Sequence, residues 1–408
     1  MITKVLRNTV WLGSGEVAIK GGLFAAMILI ARGSGPAGVG TFSVAFSAAL
    51  VAVLILALGQ QEVLIREVAR SPEQARILVR GSDSLQFRFG RWFLIAAVIS
   101  ILFVNDRELR FALLAFLPYA ALRTATVTRG AAFKGLDRMD VESKARGLEV
   151  VVAVGLIAVC IGAGWPVWTA GAAFSVGAGA GLLWLVRRLG GLRSDGAPVK
   201  QAMMLAEGWP FMALAVASQL LTHADRFLLA LCGVGAEDIG FWGAAGTIVW
   251  ASMALPQLIA VSVYPSLSRM AQKGGSPRRV GLVAAVSGGA AGLVVALALW
   301  LFGGALIRLA FGPEFDPAAP LLERAAWALP GAFAMMVVGA VLAAWRRQLR
   351  SLWVMTVALG LSVVLNLIWI PRIGIHAPAN IVPLVYSLAA VVLVASLFWL
   401  QEPDVEDR

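Results

Sequence analysis

The sequence predicts an all-α polytopic membrane protein of about twelve transmembrane helices, built as two six-helix lobes in parallel repeat. Three observations carry this. Sixty per cent of the 408 residues are hydrophobic and only 14% are charged, where a soluble chain carries roughly 25% charged residues. Apolar runs recur along the whole chain, many of them near the ~20 residues that cross a hydrocarbon core. Lys and Arg gather in every second connection between those runs, the asymmetry that orients membrane proteins.

The runs fall near 9–31, 39–59, 89–105, 109–131, 142–163, 166–186, 208–232, 238–264, 280–303, 320–345, 351–370 and 379–400. Twelve spans in 408 residues leave about 34 for each span with its connection, so no separate soluble domain is expected. The first run follows Lys4 and Arg7 in the manner of a signal peptide. It is long enough to span and others follow, so we read it as an uncleaved first helix.

Connections on one side hold 23 Lys and Arg, and those on the other hold five (Arg32, Arg107, Arg110, Arg308 and Arg372). The basic side is expected to be cytoplasmic, which places both termini there. Trp11, Trp92, Trp165, Trp209, Trp345, Trp369 and Trp399 lie near span ends, where an indole is stable among headgroups. A net charge of +11 could also mean nucleic acid, but the cations are dispersed between apolar runs, with no basic stripe of interleaved aromatics. No nucleic-acid partner is expected.

An internal repeat supports the two lobes. GSGPAGVGTFSVA (33–45) and GVGAEDIGFWGAA (233–245) align Gly33 with Gly233, Gly35 with Gly235, Gly40 with Gly240 and Ala45 with Ala245. Six spans separate the copies, so both begin on the same side, as in transporters whose halves are related by an axis along the membrane normal. The expected division is 1–190 for the first lobe, 191–203 for a linker and 204–408 for the second lobe.

GSGPAG (33–38) matches a dinucleotide fingerprint, but that motif needs a preceding strand. Between two membrane helices its glycines and Pro36 read as a turn. No phosphate-binding P-loop motif occurs. Cys160 and Cys232 sit apart in apolar segments, and His223 and His376 are the only histidines. Neither a metal site nor a cofactor is expected, which leaves a proton or sodium gradient, or the membrane potential, to drive any transport.

Ionisable residues at membrane depth are functional candidates because each costs at least ~2.5 kcal/mol at a helix centre. Glu16 and Lys20 on the first helix are spaced i,i+4 for an ion pair. The fourth helix carries Arg123, Thr126 and Arg129. Arg123 lies 13 residues past Arg110, about 20 Å deep at 1.5 Å per residue, while Arg129 is near enough to the far surface to snorkel. On the seventh helix Gln219, Thr222, His223 and Arg226 form one polar stripe, with Asp225 beside it. Such a stripe faces either a packed interface or water, and the water-filled path is the expectation because Arg226 is hard to satisfy dry. Lys20, Arg123, Arg129 and Arg226 outnumber Glu16, Glu149 and Asp225 within spans. That balance suits an anionic substrate, since guanidinium forks match phosphate oxygens. Pro256-Gln257 and Pro330-Gly331 break the eighth and tenth helices.

These segments resemble the bacterial polysaccharide flippases, the O-antigen and exopolysaccharide translocases of the multidrug/oligosaccharidyl-lipid/polysaccharide exporter superfamily. The residues that carry the resemblance are Asn8-Thr9, then Ala31-Arg32 into Gly35-Pro36 and Gly40, and Gly59 before Arg66-Glu67 and Ala69-Arg70. Further on they are Asp225-Arg226 with Gly240 and Ala244-Ala245, Pro265 to Arg269, Phe311-Gly312 with Glu314-Phe315, and Asn366 with Pro371 and Gly374. The chain departs from the family after Gly374, with His376-Ala377-Pro378-Ala379 in place of Gly-Ala-Ala.

The resemblance implies a cationic cavity that opens alternately to each side of the bacterial cytoplasmic membrane. It also implies an undecaprenyl-pyrophosphate-linked oligosaccharide as cargo, with a polymerase and glycosyltransferases as partners. Lys20, Arg123, Arg129 and Arg226 then bind pyrophosphate, Gln219, Thr222 and His223 meet sugar hydroxyls, and Glu16 and Asp225 couple a cation. The rivals are a cation-coupled multidrug exporter, a peptidoglycan-precursor flippase and, from another class, a membrane glycosyltransferase or polymerase. The longest outer connection, around 304–319, is short for a catalytic loop.

Overall fold

The computed structural model describes residues 2–190, 201–272, 275–345 and 347–399. Every regular element among them is helical. Two compact units form, Met1–Leu220 and Leu221–Arg408.

The first unit holds α1 (Ile2–Ala57), α2 (Gln60–Arg70), α3 (Ala75–Leu102), α4 (Arg107–Gly135), α5 (Met139–Gly162), α6 (Thr169–Gly190) and the first part of α7 (Gln201–Leu231). Helix α1 joins the two runs expected at 9–31 and 39–59. Gly35 interrupts it at φ 63°, ψ −170°, a conformation essentially confined to glycine, and Pro36 follows.

The two limbs of α1 cross in opposite directions. The first limb runs with α5, because Gly22 faces Val150 and Gly33 faces Ile161. The second runs with α4: Phe46 meets Tyr119 at 6.2 Å and Thr124 Oγ1 donates to the Val53 carbonyl at 3.4 Å. Helices α4 and α5 are antiparallel, since Arg123 pairs with Glu149 and Lys134 with Glu142. Among the described residues ten helices are long and apolar enough to cross a membrane, eleven with one bent pair. Separating the limbs of α1 brings the passes to the twelve the sequence predicts.

Helix α2 was not expected as a separate element. Val63, Leu64 and Val68 are buried while Arg66 and Arg70 are exposed, the 3.6-residue alternation of a helix lying against a core. Helix α3 begins at Ala75, well before the apolar run at 89, so Arg76, Arg80, Asp83, Arg88 and Arg91 are helical rather than in a loop. The expected linker falls mostly on 191–200, which lie outside the described residues. The units divide inside α7, because its first turns are held by the first unit. Gln60 Nε2 donates to the Met204 carbonyl at 2.9 Å, and Arg66 pairs with Glu207.

The second unit continues with α8 (Ala236–Ala251), α9 (Ala254–Gln272), α10 (Pro277–Phe311), α11 (Ala319–Ala326), α12 (Leu329–Ala344), α13 (Gln348–Ile373) and α14 (His376–Ala395). The expected eighth span is two helices, with Pro256 in the first turn of α9. The expected tenth is the bent pair, α11 and α12, at 49°, with Pro330 near the start of α12. Proline suits a helix start, where its missing N–H is not needed, so both prolines begin helices rather than kink them.

The two repeat copies turn differently. In the second, Gly233 carries the positive φ (76°) while Gly235, aligned with Gly35, caps α8 at φ −61°, ψ 148°. Gly35→Ala should therefore cost about 1–3 kcal/mol, whereas Gly235→Ala, with nothing within 4 Å of an added Cβ, should stay within about 0.5 kcal/mol. Thermal unfolding of the two variants in detergent measures this, and equal losses at both positions would refute the turn assignment.

Candidate functional site

Two helix faces of the first unit carry charge toward each other. Arg123, Val127 and Lys134 are spaced i, i+4, i+11 on α4, and Glu142, Arg146 and Glu149 are spaced i, i+4, i+7 on α5, so each set shares one side of its helix. With the helices antiparallel, the sets meet. Arg123 Nη1 donates to Glu149 Oε2 at 2.9 Å, and their side chains are only 13% and 7% exposed. Glu142 lies 3.3 Å from Lys134 and 4.0 Å from Arg146. Gly177 of α6 makes room beside this cluster, since a Cβ there would sit 2.4 Å from the Glu149 carbonyl oxygen.

A cavity of about 280 Å³ opens along these faces. Leu50, Val53 and Leu54 of α1, Gln61, Arg123, Thr126, Lys134, Glu142, Arg146 and Gln219 are among the residues that line it. Three cations and one carboxylate, Glu142, line it, while Glu149, the partner of Arg123, is buried. The donors are charged and multidentate. Such a site suits phosphate oxygens, and the neighbouring Gln61, Thr126 and Gln219 suit hydroxyl-rich groups.

The expected site residues part company in the structure. Arg123, Thr126 and Gln219 reach the cavity. Arg129 does not line it: its guanidinium grips Asp83 of α3 with two bonds, at 3.1 and 2.8 Å, and also donates to the Ala125 carbonyl. Arg129 therefore neither snorkels nor joins the Arg123 cluster. Lys20 is half-buried on α1. The side chain of Glu16, and with it the proposed Glu16–Lys20 pair, lies outside the described residues.

In the second unit the α7 stripe is packed rather than open. Asp225 and Arg226 are 7% and 5% exposed. Asp225 accepts from the Trp242 indole N–H at 2.5 Å and from the Arg226 backbone N–H at 2.8 Å. Arg226 contacts His223, and a Cβ at Gly246 would come within 3.0 Å of its Nη2. Thr222 bonds the Tyr386 hydroxyl of α14. Within this unit Asp225 holds α7 to α8 and Thr222 holds it to α14, and the indole N–H of Trp242 satisfies the Asp225 carboxylate.

Sequence reasoning missed this cluster: Lys134 and Arg146 were counted with the connection between the fourth and fifth spans, and Glu142, at the start of the fifth, was not singled out. The helical spacing of Glu142, Arg146 and Glu149 was the available signal. It also missed Asp83, so the excess of cations within spans is smaller than it reads, with Arg129 neutralised outside the cavity.

Comparison with known proteins places the fold. Residues 5–271 match the family described as polysaccharide biosynthesis protein. No curated protein sequence matches. Among solved structures, the chain is similar to an inward-facing multidrug resistance MATE transporter of the MOP superfamily, at a TM-score of 0.76 and 16% identity over 94% of each chain. It is similar to the lipid II flippase MurJ in an inward closed conformation, at 0.73 and 13% identity over 95% of this chain and 87% of the other. It is also similar to a MOP transporter from Pyrococcus furiosus described by the reverse polarity of its binding pocket, at 0.71 and 16% identity over 97% and 95%. At these identities the likeness is one of fold.

Because a broken buried pair strands a charge, Arg123→Leu and Glu149→Leu should each cost about 3–5 kcal/mol, and the double variant less than either alone. Unfolding midpoints of all four proteins give the coupling; additive losses would show that the two side chains do not act as a pair.

Proposed function

From the premise that the chain belongs to the polysaccharide biosynthesis protein family, within the MOP exporter superfamily, we propose that it flips undecaprenyl-pyrophosphate-linked oligosaccharide units from the inner to the outer leaflet of the bacterial cytoplasmic membrane. The observation that carries this reading is the convergence of Arg123, Lys134 and Arg146 on one cavity whose lining holds a single carboxylate, Glu142. A pyrophosphate arriving there takes over donors that Glu149 and Glu142 hold at rest. A drug-exporting site for cations requires the opposite balance.

The basic ends of the helices then face the cytoplasm, and the substrate enters from that side. Arg123 and Lys134 bind pyrophosphate while Gln61, Thr126 and Gln219 bond sugar hydroxyls. Lys20 remains a candidate partner on α1. His223, Asp225 and Arg226 act as structural supports of α7 in this reading. Outward movement of each negative charge gains ~2.3 kcal/mol per 100 mV of inside-negative potential, so an ATPase is not required, and a proton or sodium gradient can add to it. A polymerase and glycosyltransferases would supply and consume the cargo.

In a strain lacking the gene, lipid-linked repeat units should accumulate and surface polymer should be lost. Lys134→Gln with Arg146→Gln, restored on a plasmid, should lower export at least tenfold while the protein still inserts. Both residues are half-buried at the cavity wall, so this variant tests binding with less risk to folding than Arg226→Ala. An unchanged lipid-linked pool and intact polymer in the deletion strain would sink the proposal.

A further inference from the structure

Helix α4 has a second working side. Opposite the cavity face, Ala121, Thr124 and Ala125 form one wall of a separate groove of about 290 Å³. Leu56 of α1 and Phe87, Gly90, Arg91 and Leu94 of α3 complete it, with Asp83 and Gln86 at one end. Helices α3 and α4 are antiparallel here, since Asp83 meets Arg129 and Gln86 bonds Thr128. The groove therefore runs from a charged end beside Asp83 to an apolar end between Leu94 and Ala121. Its small floor depends on Gly90, where a Cβ would stand 3.2 Å from the Leu56 side chain.

Arg91 is the arginine that lines the groove. Arg80, Arg88 and Arg91 are all exposed, with Arg91 over the Trp92 ring at 5.3 Å. Arg88 donates weakly to Gln201 at 3.4 Å. Asp83, the acidic residue of the groove, is occupied by the bidentate bond from Arg129. Phe87 and Trp92 are 72% and 64% exposed beside these arginines, the amphipathic company of a headgroup layer.

We propose that this groove holds a resident anionic glycerophospholipid, its phosphate at Arg91 and one acyl chain along Gly90, Leu94, Ala121 and Ala125. Cations next to an apolar slot at the edge of a span suit a molecule that is anionic at the head and hydrocarbon in the tail. The bulk of α4 separates the groove from the cavity, so the occupant is a structural lipid and not transported cargo. The inference does not depend on the proposed function.

Native mass spectrometry of the detergent-purified protein tests it, with phosphatidylglycerol and phosphatidylcholine of identical chains as probes. Wild-type protein should retain one phosphatidylglycerol at least tenfold more tightly than phosphatidylcholine. Arg91→Gln should remove that preference, and Ala121→Phe, which fills the slot and leaves Arg91 in place, should weaken retention of phosphatidylglycerol. Equal retention of the two lipids by wild type, or retention unaltered in both variants, would overturn the site. Displacement of the bound phospholipid by undecaprenyl phosphate from wild-type protein would overturn the assignment to a resident lipid.

Discussion

A guanidinium placed in the middle of a bilayer has to be satisfied by protein, and the first unit is arranged around that demand. An isolated arginine at a helix centre costs at least ~2.5 kcal/mol. Arg123 meets it through Glu149 at 2.9 Å. The bond exists because α4 and α5 run antiparallel with their charged residues on facing sides, and because Gly177 lets α6 come close to the backbone at Glu149. The opposed limbs of α1 follow the same pair of helices, one limb alongside each. The turn at Gly35, the antiparallel α4–α5 pair and the buried ion pair are therefore parts of one solution.

The two units answer the same demand in different ways. Asp225 is held by an indole N–H and by a backbone N–H, in a setting where moving Asp225 or Arg226 would open a packed interface. Arg123, Lys134 and Arg146 lie on the wall of a cavity, the last two beside Glu142 of the same wall and the first paired with buried Glu149. A charge caged by packing stabilises a fold. One balanced by a side chain beside open space can exchange its partner, and ligand recognition uses that second arrangement.

Much of this was legible in the chain. Hydropathy gave the twelve passes, and the glycines at 33–40 and 233–240 marked the two turns, although the repeat did not reveal that Gly35 bends the first while Gly233 bends the second. Arg123 stood out because arginine is expensive in an apolar run. Lys134 and Arg146 did not, because cations next to a helix end read as loop, nor did Glu142 at the start of the fifth run, and only the antiparallel register brings the three to the cavity. Asp83 was hidden for the same reason. The stripe on α7 was read as facing a packed interface or water, and the sequence alone does not say that Trp242, 17 residues on from Asp225, would bond its carboxylate.

The division of labour on α4 follows from helix geometry. At 100° per residue, Arg123, Val127 and Lys134 point one way, Arg129 points toward Asp83 of α3, and Ala121 and Ala125 point to the far side. A single helix can thus line a cavity on one side and, on the other, fix its neighbour beside a groove. Binding Arg129 to Asp83 of α3 keeps a neutral pair off the cavity wall. The cations of that wall are Arg123, Lys134 and Arg146, and Glu142 is its carboxylate.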